Sequence, residues 1–368
     1  MGIRLPLTPV VRGLPEMVPF VGPETFERRN GRPLRVRLGA NESVFGISPA
    51  ARDAMRTAID EVWKYNDPEA YELRAALADV HGTGFECVQV GAGIDELLGL
   101  LIRVFVAPGE PAVMSLGSYP TFAYHALGHG ARLETVPYRD DHVDLSALAA
   151  RVHEVGARLV YVANPDNPMG TWRTGERLEG FAQDVGEDCL VILDEAYADF
   201  APPDAIPVMP GLPNVIRMRT FSKAHGMAGA RIGYLLADES VIHVLGKVRN
   251  HFGVNRVAQA GALASLGDKD FVSGVISEVA RGRQSLQQMM GSLELPTLPS
   301  ATNFVNVDLG QGDRARAVLA DLLNRDVFVR MPTQPPGDRC IRVTIGRPAD
   351  LETFATALSQ SLQAQGGC

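Results

Sequence analysis

A lysine placed directly after an apolar run is the residue best suited to chemistry in this sequence. Lys223 follows the predicted strand 215–218, with Ser222 before it and Arg231 a short distance after it. A loop at the end of a strand presents an amine to a cleft, where desolvation and nearby cations lower its pKa enough for attack on a carbonyl carbon. Ser222 and Arg231 can then bind a phosphate, the arginine through its forked donors. The alternative is an exposed surface loop, which is the commoner situation for an isolated Ser-Lys pair.

A carboxylate ends another apolar run, upstream of this lysine. Asp194 follows the predicted strand 190–193. Open α/β sheets bind ligands at the carboxyl ends of their strands, so Asp194 and Lys223 can face one cleft. A carboxylate against a pyridine ring keeps the ring nitrogen protonated, and the ring can then accept the electrons of a carbanion at a substrate's α-carbon. Taken alone, an aspartate after a strand is more often a helix N-cap.

A third strand end carries an amide. Asn167 lies in a turn-forming segment after the predicted strand 159–162. Asn167 together with Tyr197 can hydrogen-bond a phenolic oxygen of a ligand, although the segment is also simply a loop.

A glycine-rich turn opens a predicted helix after the strand 87–90. The free amides of Gly93, Ile94 and Asp95 can cradle a phosphate at the positive end of the helix dipole. The turn also suits a nucleotide, but it lacks both the full GxGxxG pattern and the P-loop lysine.

Two aromatic residues and an arginine complete the set. Tyr119 can stack on a flat heterocycle and Tyr65 can offer a phenol to a phosphate, but both can equally be packing residues. Arg342 lies inside the alternating apolar strand 340–345, where an unpaired charge is unfavourable. It should therefore meet an anion, which is either an internal Asp or Glu or the carboxylate of a substrate.

The elements that position these residues alternate between short apolar strands and amphipathic segments up to about residue 270. The pattern predicts an α/β large domain with a mostly parallel sheet. After that point a long charged helix, short strands and a final helix predict a smaller α+β domain. The predicted parts are an N-terminal arm that belongs partly with the small domain (1–37), the large domain (38–270) and the small C-terminal domain (271–368).

Composition limits the possible partners. The formal net charge of −8, without a long run of Lys or Arg, gives no footprint for nucleic acid or an anionic membrane, and no apolar run is long enough for a membrane helix. The four cysteines, at positions 87, 189, 340 and 368, form no CxxC pair, so neither a metal site nor a disulfide framework is predicted. We expect a cytoplasmic protein that acts on small molecules.

The ordered set resembles the fold-type I pyridoxal-phosphate-dependent aminotransferases of class I and II, and most closely the histidinol-phosphate aminotransferase group. The match spans most of the chain and includes the segment 38–42, which is similar to that group's Asn-Glu signature. The resemblance implies a three-layer large domain that binds pyridoxal 5'-phosphate as a Schiff base on Lys223. It also implies that Lys223 moves a proton between the substrate's α-carbon and the cofactor, with Asp194 and Tyr197 as the other catalytic residues.

The resemblance also implies partners and substrate contacts. The protein would be a homodimer in which Tyr65 reaches the cofactor phosphate of the neighbouring subunit, and it would use an amino donor and a 2-oxo acid acceptor. Arg342 would bind the α-carboxylate, with Asn167 beside it, and Arg330 occupies the position that contacts the substrate phosphate. Phe20 stands where the group has a tyrosine, and Met169 stands where threonine is usual.

These departures leave alternatives to histidinol phosphate open. The chain can be an aromatic amino acid aminotransferase or a phosphothreonine-type decarboxylase, which shares the lysine and aspartate signatures. A non-enzymatic pyridoxal-phosphate-binding regulator is the alternative from another class. It would usually carry an added DNA-binding segment, for which this chain has no spare length.

Overall fold

The computed structural model describes residues 5–14, 20–207 and 212–366 of the 368-residue chain, so Cys368 lies outside the described residues. The strands are β1 (Val36–Arg37), β2 (Val88–Gly91), β3 (Pro111–Ser115), β4 (Arg132–Val136), β5 (Leu159–Ala163), β6 (Leu190–Asp194), β7 (Val215–Thr220), β8 (Gly233–Leu236), β9 (Phe304–Asp308), β10 (Val327–Phe328) and β11 (Cys340–Thr344). The helices are α1 (Pro9–Gly13), α2 (Pro23–Asn30), α3 (Pro49–Ile59), α4 (Tyr71–His81), α5 (Ile94–Phe105), α6 (Pro120–His129), α7 (Leu145–Val155), α8 (Gly175–Val185), α9 (Glu239–Leu245), α10 (Arg256–Gly267), α11 (Lys269–Ser292), α12 (Gly312–Asn324) and α13 (Pro348–Gly366).

A seven-stranded sheet forms the centre of the molecule. Its strand order is β2-β8-β7-β6-β5-β3-β4, and only β8 runs antiparallel to its neighbours within this sheet. The predicted α/β fold with a mostly parallel sheet is therefore confirmed. The sequence pattern did not predict strand β4. This strand lies at the edge of the sheet, and its polar residues Arg132 and Glu134 interrupt the apolar run that marks the central strands.

Helices cover both faces of this sheet, which explains why its strands read as continuous apolar runs. On β5, Leu159 and Tyr161 point to the face covered by α5 and α6, whereas Val160 and Val162 point to the face covered by α7 and α8. Helix α5 contributes Leu97, Leu98, Leu101 and Ile102 to the first of these cores. Both cores hold the strands rigidly, so the residues at the strand ends have fixed positions.

Another hydrophobic core lies under an antiparallel pair formed by β9 and β11, with α11, α12 and α13 packed on it. Arg342 of β11 lies opposite Asn306 of β9 in this pair. Strand β1 pairs in parallel with β10, which ties the N-terminal segment to this half of the molecule. The predicted domain limits at residues 37 and 270 stay predictions. Among the described residues, the helices are too short or too polar to cross a membrane.

Candidate active site

A cavity of about 570 Å³ lies at the carboxyl ends of β5, β6 and β7, within the size range of small-molecule sites. The second half of the molecule closes one side of it through Arg342. The predicted site residues that line the cavity are Phe20, Ile94, Asp95, Tyr119, Asn167, Asp194, Tyr197, Ser222, Lys223, Arg231, Arg330 and Arg342. Gly93 does not line the cavity itself, but it lies next to Arg231, which does. Tyr65 lies elsewhere on the surface.

Lys223 points into this cavity from the loop after β7. Its Nζ donates a hydrogen bond to the backbone oxygen of Asn41 at 3.0 Å and lies 5.5 Å from the ring centre of Tyr197. Burial, helped by the positive charge of Arg342, lowers the pKa of Lys223 to about 8. About a tenth of the amine is therefore uncharged at pH 7, far more than for an ordinary lysine, and this form can act as a nucleophile or base.

The loop that carries Lys223 is packed tightly enough to fix the amine. The ring of Phe221 is buried, with its centre 4.7 Å from that of His225. Gly226 has φ +70, and a Cβ atom there would lie 1.9 Å from the backbone oxygen of Gly46. Only glycine fits both this backbone conformation and this contact.

Asp194, at the end of β6, is a buried carboxylate with only 4% of its surface exposed. It accepts hydrogen bonds from the hydroxyl of Tyr161 at 2.6 Å and from the backbone amide of Ala196 at 3.0 Å. Burial raises the pKa of Asp194 to about 6, against the opposing effect of these hydrogen bonds. The group is therefore mostly ionised at neutral pH.

Sequence reasoning missed Tyr161, because the apolar pattern places it only in the core of a strand. Its ring stacks on Phe122 with the ring centres 5.1 Å apart. The hydroxyl of Tyr161 could have revealed this contact. A tyrosine in the middle of a strand that helices cover on both faces needs a buried hydrogen-bond acceptor.

A set of donors surrounds the start of α5. Gly93 has φ +85, and a Cβ atom there would lie 2.5 Å from Nη2 of Arg231. The missing side chain keeps the space between the first amides of α5 and this guanidinium open. Arg231 forms an ion pair with Asp95 at 3.2 Å, and Ser222 lies on the same side with its hydroxyl 2.9 Å from that of Thr220. Amides at a helix start, a hydroxyl and a guanidinium are groups whose chemistry suits a phosphate.

The hydroxyl of Tyr197 receives hydrogen bonds from the neighbouring amides. Asn41 Nδ2 donates to it at 2.8 Å, and Asn167 Nδ2 lies at 3.5 Å. Burial raises the pKa of Tyr197 to about 12, so the phenol keeps its proton and can donate to a ligand. Sequence reasoning noted Asn41 only as part of the 38–42 segment and missed this contact. Its φ of +54 is a conformation that asparagine adopts more readily than most residues.

Arg342 and Arg330 are adjacent cations at the other side of the cavity. Arg342 Nη1 donates to Asn167 Oδ1 at 2.5 Å, whereas its Nε atom is buried without a hydrogen-bond partner. Arg330 Nη2 donates to the backbone oxygen of Val21 at 2.9 Å, and the two arginines are joined through their backbones. Within residues 5–14, 20–207 and 212–366, neither forms an ion pair with a carboxylate. Two partly buried guanidinium groups without counter-ions favour an anionic ligand.

Two aromatic rings form the rim of the cavity beside Arg330. The ring centres of Phe20 and Tyr119 are 6.4 Å apart, and the Arg330 guanidinium lies 5.6 Å from the centre of Phe20. The hydroxyl of Tyr119 donates to Asp95 at 3.0 Å. Phe20 offers an apolar surface where a tyrosine would have offered a donor.

Tyr65 does not reach the cavity of its own chain. Its ring packs on Phe252 with the centres 4.8 Å apart, and 80% of its surface is exposed. Any contact of Tyr65 with a ligand phosphate requires a second subunit.

Comparisons with known proteins agree with this geometry. The family model described as aminotransferase class I and II matches residues 35–358. The chain is 38% identical, over 89% of each chain, to a protein named histidinol-phosphate aminotransferase 2 from Pseudomonas fluorescens strain Pf0-1. It is 34% identical, over 96% of this chain and 98% of the relative, to a protein of the same name from Carboxydothermus hydrogenoformans. A crystal structure of histidinol-phosphate aminotransferase from Sinorhizobium meliloti in complex with pyridoxal-5'-phosphate superimposes with a TM-score of 0.95, with 46% identity and 99% of each chain covered.

Proposed function

Because the chain belongs to the aminotransferase class I and II family and is a pyridoxal-phosphate-dependent aminotransferase, we propose that its amino donor is histidinol phosphate and its acceptor a 2-oxo acid. The observation that carries this proposal is the pair Arg330 and Arg342, which line the cavity without carboxylate partners in the described part of the chain. One guanidinium serves the phosphate of the donor and the other the α-carboxylate of the acceptor. The names of the relatives support the same donor.

The side chains in the cavity fit the cofactor by their chemistry. Lys223 supplies the amine that binds the aldehyde covalently, and Asp194 supplies the carboxylate for the ring nitrogen. Asn167 and Tyr197 donate to the phenolic oxygen. The phosphate would occupy the open space beside Gly93, where Ser222, Arg231 and the amides of Ile94 and Asp95 would hold it, and Tyr119 would offer an aromatic surface to the ring. When bound, pyridoxal phosphate supplies the electron sink for the bond broken at the donor's α-carbon.

Lys223 is also the group that moves the proton. With a pKa near 8, its amine can take a proton from the α-carbon and return it within one cycle. Asp194 keeps the proton on the ring nitrogen because its carboxylate is ionised at neutral pH. Arg342 and Asn167 hold the acceptor's carboxylate, which orients the α-carbon toward the amine.

The first prediction concerns covalent attachment of the cofactor to cofactor-free protein. Only the uncharged amine of Lys223 can attack, so the rate should rise with pH, reach half its maximum near pH 8 and level off about one pH unit above that value. For an ordinary lysine, with a pKa of about 10.4, the rate would be low at pH 8 and would keep rising past about pH 10. The measurement mixes protein with pyridoxal phosphate at each pH, stops the reaction with borohydride and quantifies the adduct on Lys223 by mass spectrometry. A rate that still rises several-fold above about pH 9 would show that the pKa of the amine is not lowered.

The second prediction tests the donor. In a panel of histidinol phosphate, histidine, phenylalanine, tyrosine, glutamate and phosphothreonine, histidinol phosphate should convert the bound cofactor to its amine form fastest. Arg330→Gln should raise the KM for histidinol phosphate about 30-fold, because a charge-assisted hydrogen bond contributes roughly 1.5–3 kcal/mol. The KM for phenylalanine should change less than about threefold, since this donor has no phosphate for the guanidinium to bind.

Arg281→Gln is the matched control for this variant, because Arg281 is an exposed helical arginine whose ion pair is with the neighbouring Glu278. If Arg330→Gln raises the KM for every donor equally, Arg330 does not discriminate the phosphate. If phenylalanine or tyrosine is the fastest donor of the wild-type protein, the aromatic aminotransferase is the correct assignment. The apolar face of Phe20 beside Tyr119 is the observation that favours that second candidate.

The quaternary structure that we propose is a homodimer in which Tyr65 reaches the partner's phosphate site. The support is an exposed apolar patch, the Trp63 patch, formed by Ile59, Val62, Trp63, Tyr65 and Phe252. Trp63 is 79% exposed in the single chain. An exposed apolar surface with three aromatic residues marks an interaction site rather than a solvated surface.

The third prediction follows from the Trp63 patch. Trp63→Glu should convert the dimer to monomers, because the glutamate would place a charge in the apolar interface. The measurement is light scattering after size-exclusion chromatography. Tyr65→Phe should leave the dimer intact and weaken cofactor binding roughly tenfold through loss of one hydrogen bond to a phosphate. Tyr71→Phe, at another exposed tyrosine, is the control. A monomeric wild-type protein, or unchanged cofactor affinity in Tyr65→Phe, would contradict the proposal.

The cellular location that we propose is the cytoplasm. Cys87, Cys189 and Cys340 are free thiols in the described part of the chain, which suits a reducing compartment. Burial raises the pKa of Cys189 and Cys340 to about 12, so both stay protonated and unreactive.

A further inference from the structure

Asp166 is a buried carboxylate next to the site that the proposed chemistry does not use. It lies in the turn after β5, directly before Asn167, and only 1% of its surface is exposed. The hydroxyl of Tyr138 lies 3.1 Å from each of its oxygens, and the backbone amide of Met169 donates to Oδ2 at 2.9 Å. No ion pair reaches it from the residues that the structure describes. Burying a carboxylate without a cation is unfavourable, so we expect the carboxylate of Asp166 to have a role that offsets this cost.

The hydrogen bonds of Asp166 hold the turn 166–171 from inside. Besides the bond from Met169 to its carboxylate, its backbone amide donates to the oxygen of Thr171 at 2.8 Å, and its backbone oxygen accepts from Gly170 at 2.9 Å. From the other side, Asn306 of β9 donates to the backbone oxygens of Pro168 and Met169, both at 2.8 Å. The turn is therefore clamped between the central sheet and the second half of the molecule.

The residue that this clamp positions is Asn167. Its side chain accepts the hydrogen bond from Arg342 at 2.5 Å and directs its amide nitrogen toward the hydroxyl of Tyr197. Asp166 itself does not line the cavity. Asp166 therefore does not occupy the donors of Arg342 that a ligand would use. Burial raises the pKa of Asp166 to about 7, and the positive charge of Arg342 is near enough to oppose part of this rise.

We propose that Asp166 is a positioning residue for carboxylate binding, which acts by fixing the turn that holds Asn167 against Arg342. The inference rests on the proposed function, in which Arg342 binds the substrate carboxylate. A carboxylate in direct contact with Arg342 would compete with the substrate for its donors. A carboxylate buried behind Asn167 does not compete.

The test follows the two half-reactions of Asp166→Ala and Asp166→Asn separately by absorbance. Glutamate is mixed with the aldehyde form of the bound cofactor and 2-oxoglutarate with the amine form, and each titration gives a half-saturating concentration (KM) and a maximal rate (kcat). Asp166→Ala should raise the KM for both substrates about tenfold, with less than about a threefold loss in kcat, because a positioning bond to a charged network is lost. Asp166→Asn keeps the shape and the bond from Met169, so it should recover most of the affinity. Cofactor retention should stay the same in both variants, since the cofactor contacts lie elsewhere.

The matched control is Asn214→Ala, which removes another buried hub at the opposite end of the sheet. Asn214 Nδ2 donates to the backbone oxygens of Ala182 and Gly186 at 3.0 and 2.9 Å. This variant should lower the Tm as Asp166→Ala does, but leave both KM values unchanged. If Asp166→Ala does not fold, Tyr138→Phe removes the hydroxyl donor instead and should raise both KM values about threefold.

Unchanged KM values in Asp166→Ala, or equal increases in Asn214→Ala, would overturn the positioning role. Arg342→Gln separates this result from failure of the proposed function. If Arg342→Gln strongly weakens the apparent affinity for the keto acid acceptor while Asp166→Ala does not, the carboxylate site stands and only the role of Asp166 is wrong. If Arg342→Gln also has no effect, both proposals fall.

Discussion

Replacement of Lys223 by alanine is expected to reduce amino transfer by at least about 10⁴-fold, because the variant loses both the covalent attachment point and the group that moves the proton. The measurement is single-turnover conversion of the bound cofactor by the best donor, followed by absorbance. The borohydride-reduced protein should show no adduct at position 223.

The same variant separates a chemical defect from a folding defect. The folded-state pKa of Lys223, about 8, lies below the ordinary lysine value. The folded state therefore binds fewer protons than the unfolded state between these values, and below pH 8 the buried amine destabilises the cofactor-free protein. The Tm of cofactor-free Lys223→Ala at pH 7 should thus equal or exceed that of the wild type. Lys247→Ala, at an exposed lysine, is the control. A fully active Lys223→Ala variant would refute the central role of this residue.

The residues that the sequence brought together correctly all lie at the ends of neighbouring parallel strands. Asn167, Asp194 and Lys223 follow β5, β6 and β7, which are adjacent in the sheet. Parallel strands end at one edge, so an apolar run followed by a polar residue is enough to predict that these side chains meet. The local pattern carries this information because it needs no knowledge of distant contacts.

The contacts that the sequence could not predict join segments that are far apart in the chain. Asn41 meets Lys223 and Tyr197, and Arg342 of the β9–β11 pair meets Asn167 at the edge of the central sheet. Nothing local to Asn41 or Arg342 specifies these partners, because they depend on how the second half docks on the sheet. For Arg342 the sequence predicted only that some anion would be needed.

Two buried ionisable groups of the site have pKa values on either side of neutral pH, which suits the proposed chemistry. Asp194 has a pKa near 6 and Lys223 one near 8, so at neutral pH the first is mostly ionised and the second is poised to exchange a proton. Both shifts have burial as their main cause and oppose the charged form. The cavity therefore tunes an acid and a base toward the same pH by one physical effect.

Asp194→Asn is expected to reduce the rate of amino transfer by about 10²–10³-fold, the usual effect of removing one preorganised electrostatic contact. Asparagine keeps the shape and can still accept from Tyr161, but it carries no charge to hold a proton on the ring nitrogen. The measurement is again single-turnover conversion, with Asp184→Asn, at an exposed aspartate, as the control.

Stability measurements give this prediction an independent check. The folded-state pKa of Asp194, about 6, lies above its ordinary value of 3.8, so between these values the folded protein binds more protons than the unfolded chain. The free energy of unfolding of the cofactor-free wild-type protein should therefore fall as pH rises toward 6. Asp194→Asn has no carboxylate at this position, so it should not show this decrease. Tyr161→Phe deletes the 2.6 Å hydrogen bond that favours the ionised form, so it should shift the pKa of Asp194 further upward and slow transfer by an intermediate factor. If Asp194→Asn kept more than a tenth of the wild-type rate, the carboxylate would not control the ring nitrogen.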